Sequence, residues 1–163
     1  MPLIEKDAIA STAALTYARL LRENHDLIAQ GKGDSAEAEA LADRMDAPWY
    51  AMTVDEQLRM RGLSADLYAL REGGPKRIEM SSEQLAAWQK RAKEAKRQSD
   101  SCDVAAALAF FREPIPLTLP RHIIPFLQAR CWEKLGDPET ADIFLREAER
   151  TVAEQLEAVQ ASA

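Results

Sequence analysis

Apolar residues recur along most of this chain at intervals of three and four, the period of helices with one face against a core. Over residues 4–29, Ile4, Ala8, Ile9, Leu15, Ala18, Leu21 and Ile28 fall at that spacing. Leu20 and Leu27 widen the stripe, so the pattern predicts a first helix packed on more than one neighbour. "QGKGD" ends it, with Gly31 and Gly33 as breakers, and Asp34 to Glu37 reads as a capping pattern that opens a short helix over 35–45. "DAPWY" interrupts that helix. Pro48 disfavours helix at Ala47, and Trp49 and Tyr50 are read as a plug at a helix–helix junction in preference to an exposed docking patch.

Thr53 with Glu56 forms a capping box and predicts a helix over 54–71. Leu58, Gly62, Ala65 and Ala69 lie along one flank of it, with Leu63, Leu67 and Leu70 beside them. Gly62 costs about 1 kcal/mol relative to Ala in a helix interior, a cost that close approach of another helix would explain. After the break "REGGPK", Ser81 with Gln84 opens a helix over 82–98, and a segment over 101–112 either continues it or bends at "SDSCD". "EPIPLTLP" is an extended connector, because its prolines preclude an ordinary helix. Helix resumes over 121–135, with Pro125 tolerable near the start.

The last helix has the clearest opening. Asp137 caps it, Pro138 takes the first helical position, and Glu139 complements the dipole. Ala141, Leu145, Ala148, Val152, Leu156 and Val159 then form one stripe to about residue 160. No strand-period pattern of useful length occurs. The expectation is an all-α chain of about five to seven helices, a helical bundle or a short helical-repeat array. It is read as one domain over 1–163, with N-terminal helices in 1–75 and a second set in 76–163.

The stretch "ARCWEKLGDPETADIFLREA" has a further order. Ala129 and Trp132 share one helix, Leu135 and Gly136 close it, and Ala141, Leu145 and Ala148 share a face of the next. Small residues let two antiparallel helices approach, while Trp132 and Leu145 fill the volume around them. This order resembles a tetratricopeptide repeat over about one repeat. Pro138 stands where the family has an aromatic residue, and Ala153 where it has a closing proline. At the family spacing of about 34 residues, Ala95, Ala107 and Phe111 fit the same order, whereas Gln98, Ser101, Cys102 and Pro114 do not. The resemblance implies a helical hairpin at the C-terminus, a degenerate repeat before it, and a surface that binds peptides or proteins without being catalytic.

Composition narrows the rest. Hydrophobic residues make up 47% and charged residues 29% of the 163, too apolar for a disordered chain and long enough for a real core. The net charge of −6 argues against a dedicated nucleic-acid binder. The two cysteines, Cys102 and Cys131, form no CxxC and have no histidine at zinc-like spacing, so they read as reduced thiols in preference to a disulfide formed in an oxidising compartment. "MPLIEKDAIAS" lacks the cationic and apolar regions of a signal peptide, and no stretch has the apolar length of a membrane span, so a cytoplasmic location and no membrane partner are expected.

Candidate chemistry is sparse. His25 and His122 belong to no HExxH or Glu-x-x-His pair and read as structural or surface residues. GxSxG, Walker A and GxGxxG are absent. No catalytic residue, metal ligand or cofactor is assigned. "WQKRAKEAKRQ" carries Lys90, Arg91, Lys93, Lys96 and Arg97 against Glu94. Lys90, Lys93 and Arg97 line one flank. A solvated face, attracted to the acidic C-terminal helix, is the favoured reading, with contact to an anionic partner as the alternative. The functional expectation is a non-enzymatic protein-binding or adaptor and scaffold module with a protein partner. The alternatives are a self-associating structural subunit and, behind it, a nucleic-acid-contacting accessory protein or an enzyme or small-ligand carrier with a buried pocket between helices.

Overall fold

The computed structural model describes residues 9–100 and 103–162. These contain seven helices and one two-residue strand pairing, in two compact units divided between Gly73 and Gly74.

The first unit holds α1 (Thr12–Ala29), α2 (Ala36–Ala51) and α3 (Val54–Arg71). Helix α1 packs on both of the others, as its wide stripe implies. It opens later than the predicted residue 4. Ser11 is the N-cap, its hydroxyl accepting from the Ala14 N–H at 3.2 Å. Glu56 fixes that cap from α3, accepting from the Ser11 N–H at 3.1 Å and its O–H at 2.7 Å. Ile9 is exposed ahead of the cap, and Ile4 and Ala8 lie outside the described residues. At the other end Gly31 takes φ 75°, which lets the Lys32 N–H reach the Leu27 carbonyl at 2.8 Å and the Gly31 N–H reach Ile28 at 3.0 Å. Ala14, Ala18, Leu21 and His25, spaced by four, three and four, form the buried face together with Leu20.

Helix α2 departs from the prediction twice. Its N-cap is Ser35, whose hydroxyl accepts from the Ala38 N–H at 3.2 Å, in place of Asp34. It also runs through Pro48 to Ala51 instead of ending near 45. The turn around Pro48 is held from outside: Gln57 Nε2 donates to the Trp49 carbonyl at 2.9 Å, and the Trp49 ring lies 5.2 Å from Tyr17. Trp49 is half-buried, but Tyr50 is 80% exposed, so the aromatic plug is Trp49 alone.

Helix α3 has the predicted bounds and the reciprocal Thr53–Glu56 capping box. Its buried face is Met60, Leu63 and Leu67 with the polar Arg59 and Asp66. Leu58 and Ala65 are exposed, so the expected flank through Leu58, Gly62, Ala65 and Ala69 is not the core face. Leu58 lies two residues from Met60, which on a helix is more than half a turn away.

The second unit holds α4 (Ser82–Asp100), α5 (Val104–Phe111), α6 (Ile123–Lys134) and α7 (Pro138–Ala161), each packed on the next. Ser81 and Gln84 cap α4 reciprocally, at 2.9 Å and 3.2 Å. Asp103 is outside any helix and its N–H bonds back to the Gln98 carbonyl at 2.9 Å, so α5 is a separate helix. Ser101 and Cys102 lie outside the described residues. The proline-rich connector, expected to be extended, is so at Ile115–Pro116 and then turns, the Leu119 N–H reaching the Pro116 carbonyl at 3.1 Å. It also pairs in parallel with an earlier segment: β1 (Arg77–Ile78) lies beside β2 (Ile115–Pro116), and the Arg77 guanidinium donates to the carbonyls of Leu117 and Leu119 at 2.7 and 2.5 Å. Strands of two residues have no alternation to show in sequence.

Helices α6 and α7 form a helical hairpin across the turn Leu135–Gly136–Asp137. Gly136 takes φ 79°. The Asp137 N–H then reaches back to the Trp132 carbonyl and the Gly136 N–H to Glu133, both at 3.0 Å, so the end of α6 is satisfied within the turn. Asp137 at once begins α7, its carboxylate accepting from the Thr140 N–H at 3.1 Å and the Thr140 O–H at 2.6 Å. Trp132, Leu135, Thr140 and Phe144 are fully buried around this turn.

Two substitutions test that account. Gly136→Ala places a Cβ on a left-handed residue and is expected to cost about 1–2 kcal/mol. Asp137→Ala removes the acceptor of two buried Thr140 donors and is expected to cost about 2 kcal/mol or more. Urea midpoints at an unchanged m-value measure both.

Candidate functional site

The C-terminal hairpin carries one run of exposed apolar side chains, Phe126, Val152, Leu156 and Val159, and its origin is a mismatch in length. Helix α7 has 24 residues and α6 has 12, so α7 rises about 36 Å against about 18 Å. Its buried residues are Thr140, Ala141, Phe144, Ala148 and Thr151, which make one seam against α6. A second stripe, rotated by roughly a quarter turn, carries Leu145, Val152, Leu156 and Val159. Leu145 is half-buried, and Val152, Leu156 and Val159 are 36%, 59% and 67% exposed. The single stripe expected from sequence is therefore two, and only its first part faces the core.

Between α6 and the second stripe runs an open groove of about 390 Å³. Phe126, Leu145, Ala148, Val152 and Leu156 line it together with His122, Glu149 and Ala153. The His122 Nδ1 is shielded from solvent and has no hydrogen-bond partner among the described residues. Phe126 and His122 were not singled out for this surface from sequence. The signal that could have found the groove is the stripe itself, which runs the full length of a helix twice as long as the one before it.

The residues carrying the tetratricopeptide resemblance lie in this hairpin. Ala129, Trp132, Leu135, Ala141 and Ala148 are buried, and Gly136 makes the turn. Leu145 borders the groove, and the core volume expected of it is filled by Phe144. Ala95, Ala107 and Phe111 are buried in the α4–α5 pair.

The five cations of α4 are all exposed but unequal. Arg91 pairs with Glu113 at 2.6 Å and lies over the Phe110 ring, and Arg97 pairs with Glu94. Lys90, Lys93 and Lys96 have no ion-pair partner among the described residues. The acids that answer this face are Glu94 and Glu113, not those of α7. The acidic α7 neutralises itself in part, through Arg146 with Asp142 and Arg150 with Glu147 and Glu154.

His25 is the one buried histidine among the described residues. Its Nε2 lies 3.2 Å from Ser64 Oγ, and Tyr68 meets its ring edge-on at 4.4 Å. Its Nδ1 has no partner among the described residues. Burial, and then the Arg71 charge, push its pKa below the ordinary value, with Asp26 opposing. His25 is thus packed between the Ser64 hydroxyl and the Tyr68 ring in the first unit. Cys131 is buried with Ser99 Oγ 3.7 Å from its sulfur, while Cys102 lies outside the described residues.

Among the described residues, no group of three or more His, Cys, Asp or Glu side chains is placed to hold a metal ion. No described helix is long and apolar enough to cross a membrane. No protein-family model, curated protein or solved structure matches the chain.

The His25 environment fixes a pH dependence. Unfolded histidine titrates near about 6.5 and the folded residue lower, so between those values the unfolded chain binds more protons. The stability contributed by neutral His25 is full above about 6.5 and is lost as pH falls towards the folded value. The urea midpoint of the wild-type chain is expected to fall between about pH 7.5 and 5.5, and His25→Gln to flatten that fall. An identical slope in both chains would remove His25 as its source.

Proposed function

We propose that this chain is a non-enzymatic protein-binding module whose contact surface is the exposed apolar face of the α6–α7 hairpin. The observation that carries this is the groove beside Leu145, Val152 and Leu156, apolar along its floor and open along its length. Leaving such side chains in water forgoes about 1.5–3 kcal/mol each relative to full burial. A contiguous apolar patch on a helix marks a place where another element docks. The shape suits an amphipathic helix, which offers apolar residues at every third and fourth position to a groove of this kind. Stepwise packing from α4 to α7 and the tetratricopeptide-like order of the hairpin both support a helical-repeat module.

The reading is tested by capture of the tagged chain from its native lysate after nuclease treatment, in parallel with Leu156→Asp. Leu156 is exposed, so the substitution is expected to leave the circular dichroism spectrum and melting temperature unchanged. The expected outcome is a nuclease-resistant protein retained by the wild type and lost by the variant. An identical set of captured proteins would remove the groove from the account.

A further inference from the structure

We propose that α2 of one copy of this chain packs antiparallel along α4 of a second copy, with Glu39, Asp43 and Asp46 facing Arg97, Lys93 and Lys90. This goes beyond the reading of the hairpin groove and uses none of its residues.

The first support is that each of these helices carries a strip of one sign on its outer side. Helix α2 buries Ala38 and Leu41, and Glu39, Asp43, Asp46 and Tyr50 follow one another at about one turn along its exposed side. The three carboxylates have no ion-pair partner among the described residues. Helix α4 turns Trp88, Ala92 and Ala95 inward, and Ala86, Lys90, Lys93 and Arg97 follow along its exposed side. Lys90 and Lys93 are likewise unpaired, and Arg97 holds Glu94 of its own helix at 2.5 Å.

The second support is register. Forward along α2 from Glu39, the intervals are four, three and four residues. Backward along α4 from Arg97, they are again four, three and four. Helices rise by the same distance per residue, so an antiparallel pair brings all four levels together: Glu39 to Arg97, Asp43 to Lys93, Asp46 to Lys90, and Tyr50 to Ala86. The Tyr50 ring, 80% exposed in the chain, thereby lies against a small residue. No acid of α4 falls level with an acid of α2. Glu94 meets Ala42, and Asp100, which Lys134 holds at 3.2 Å, meets Ala36.

Orientation and partner follow from the same pattern. A parallel pair would carry Tyr50 past Arg97 and away from Ala86. Pairing α4 with α4 would set cation against cation, and α2 with α2 carboxylate against carboxylate, so each strip fits the other and not itself. Every copy carries one strip of each sign, so copies join by a head-to-tail contact. The contact is largely exposed charge with one aromatic ring. Association is therefore weak, with a Kd on the order of 100 µM at low salt, and it falls as salt rises.

The test is the mass of the full chain by sedimentation equilibrium, over a concentration series reaching about 1 mM, in about 50 mM and about 500 mM sodium chloride. The wild type is expected to rise above one copy at low salt and to return towards one at high salt. Lys93→Glu and Asp43→Lys are each expected to weaken the low-salt association about tenfold, and the two together in one chain to restore it. Both positions are exposed, so circular dichroism is expected to be unchanged in all three variants. Leu156→Asp, in the hairpin groove, is expected to leave the association as it is. A wild-type mass of one copy throughout the low-salt series would overturn the proposal. So would an association that ignores salt or Lys93→Glu, one not restored in the double variant, or one lost in Leu156→Asp. A monomeric chain that binds a labelled DNA duplex, with the binding lost in Lys93→Glu, would give the α4 strip to a foreign polyanion and overturn self-pairing.

Discussion

The three-residue turn at Leu135, Gly136 and Asp137 sets the geometry on which the C-terminal unit depends. A left-handed Gly136 lets the last carbonyls of α6 find donors within the turn, and Asp137 is both the residue that closes one helix and the cap that opens the next. No slack remains for the helices to slide. The register of α7 on α6 is therefore fixed from the turn outward, with Trp132 and Phe144 buried beside it. Once the register is fixed, the length of α6 decides how much of α7 can be covered. Twelve residues cannot cover 24, and the remainder of the apolar pattern is left exposed.

Capping chemistry was the most legible part of the fold. The boxes at Thr53–Glu56 and Ser81–Gln84 and the Asp137–Pro138 opening lie where the residues place them, because a cap is a local bond between near neighbours. At the start of α2 the adjacent Ser35 took the cap expected of Asp34, and the other failures came where a distant partner decides. Pro48 reads as a helix end, yet Gln57 and Tyr17, both remote in sequence, hold the turn around Trp49 helical. Ser11 starts α1 late because Glu56, on another helix, holds its backbone and hydroxyl. The apolar period of α3 was visible, but which of two adjacent leucine-bearing flanks faces inward depends on what packs there. The same limit governs the candidate surface. The stripe of α7 could be read directly, but its division into a buried seam and an exposed one could not, since that depends on where α6 lies.

The charged groups sort by the same logic. The cations of α4 suggested attraction to α7, but Arg91 and Arg97 find carboxylates closer in the chain, at Glu113 and Glu94. These are exposed pairs and contribute little to stability. Their effect is on what remains: three lysines on α4 stay available to solvent, and on α7 Arg150 is occupied by Glu147 and Glu154. The net charge of the chain thus says little about any one face. Local pairing leaves a cationic strip on one helix and a mixed flank on another, a distinction composition alone could not draw.

That distinction bears on what each face can offer. A strip of one sign attracts a partner of the other sign, and Lys90, Lys93 and Lys96 make such a strip on α4. On α7, Asp142 with Arg146, and Glu147 and Glu154 with Arg150, already answer one another, so what the helix leaves exposed beside them is the apolar side chains of Val152, Leu156 and Val159. Contact with the first face would weaken with salt, whereas contact with the second would depend on apolar burial and would not.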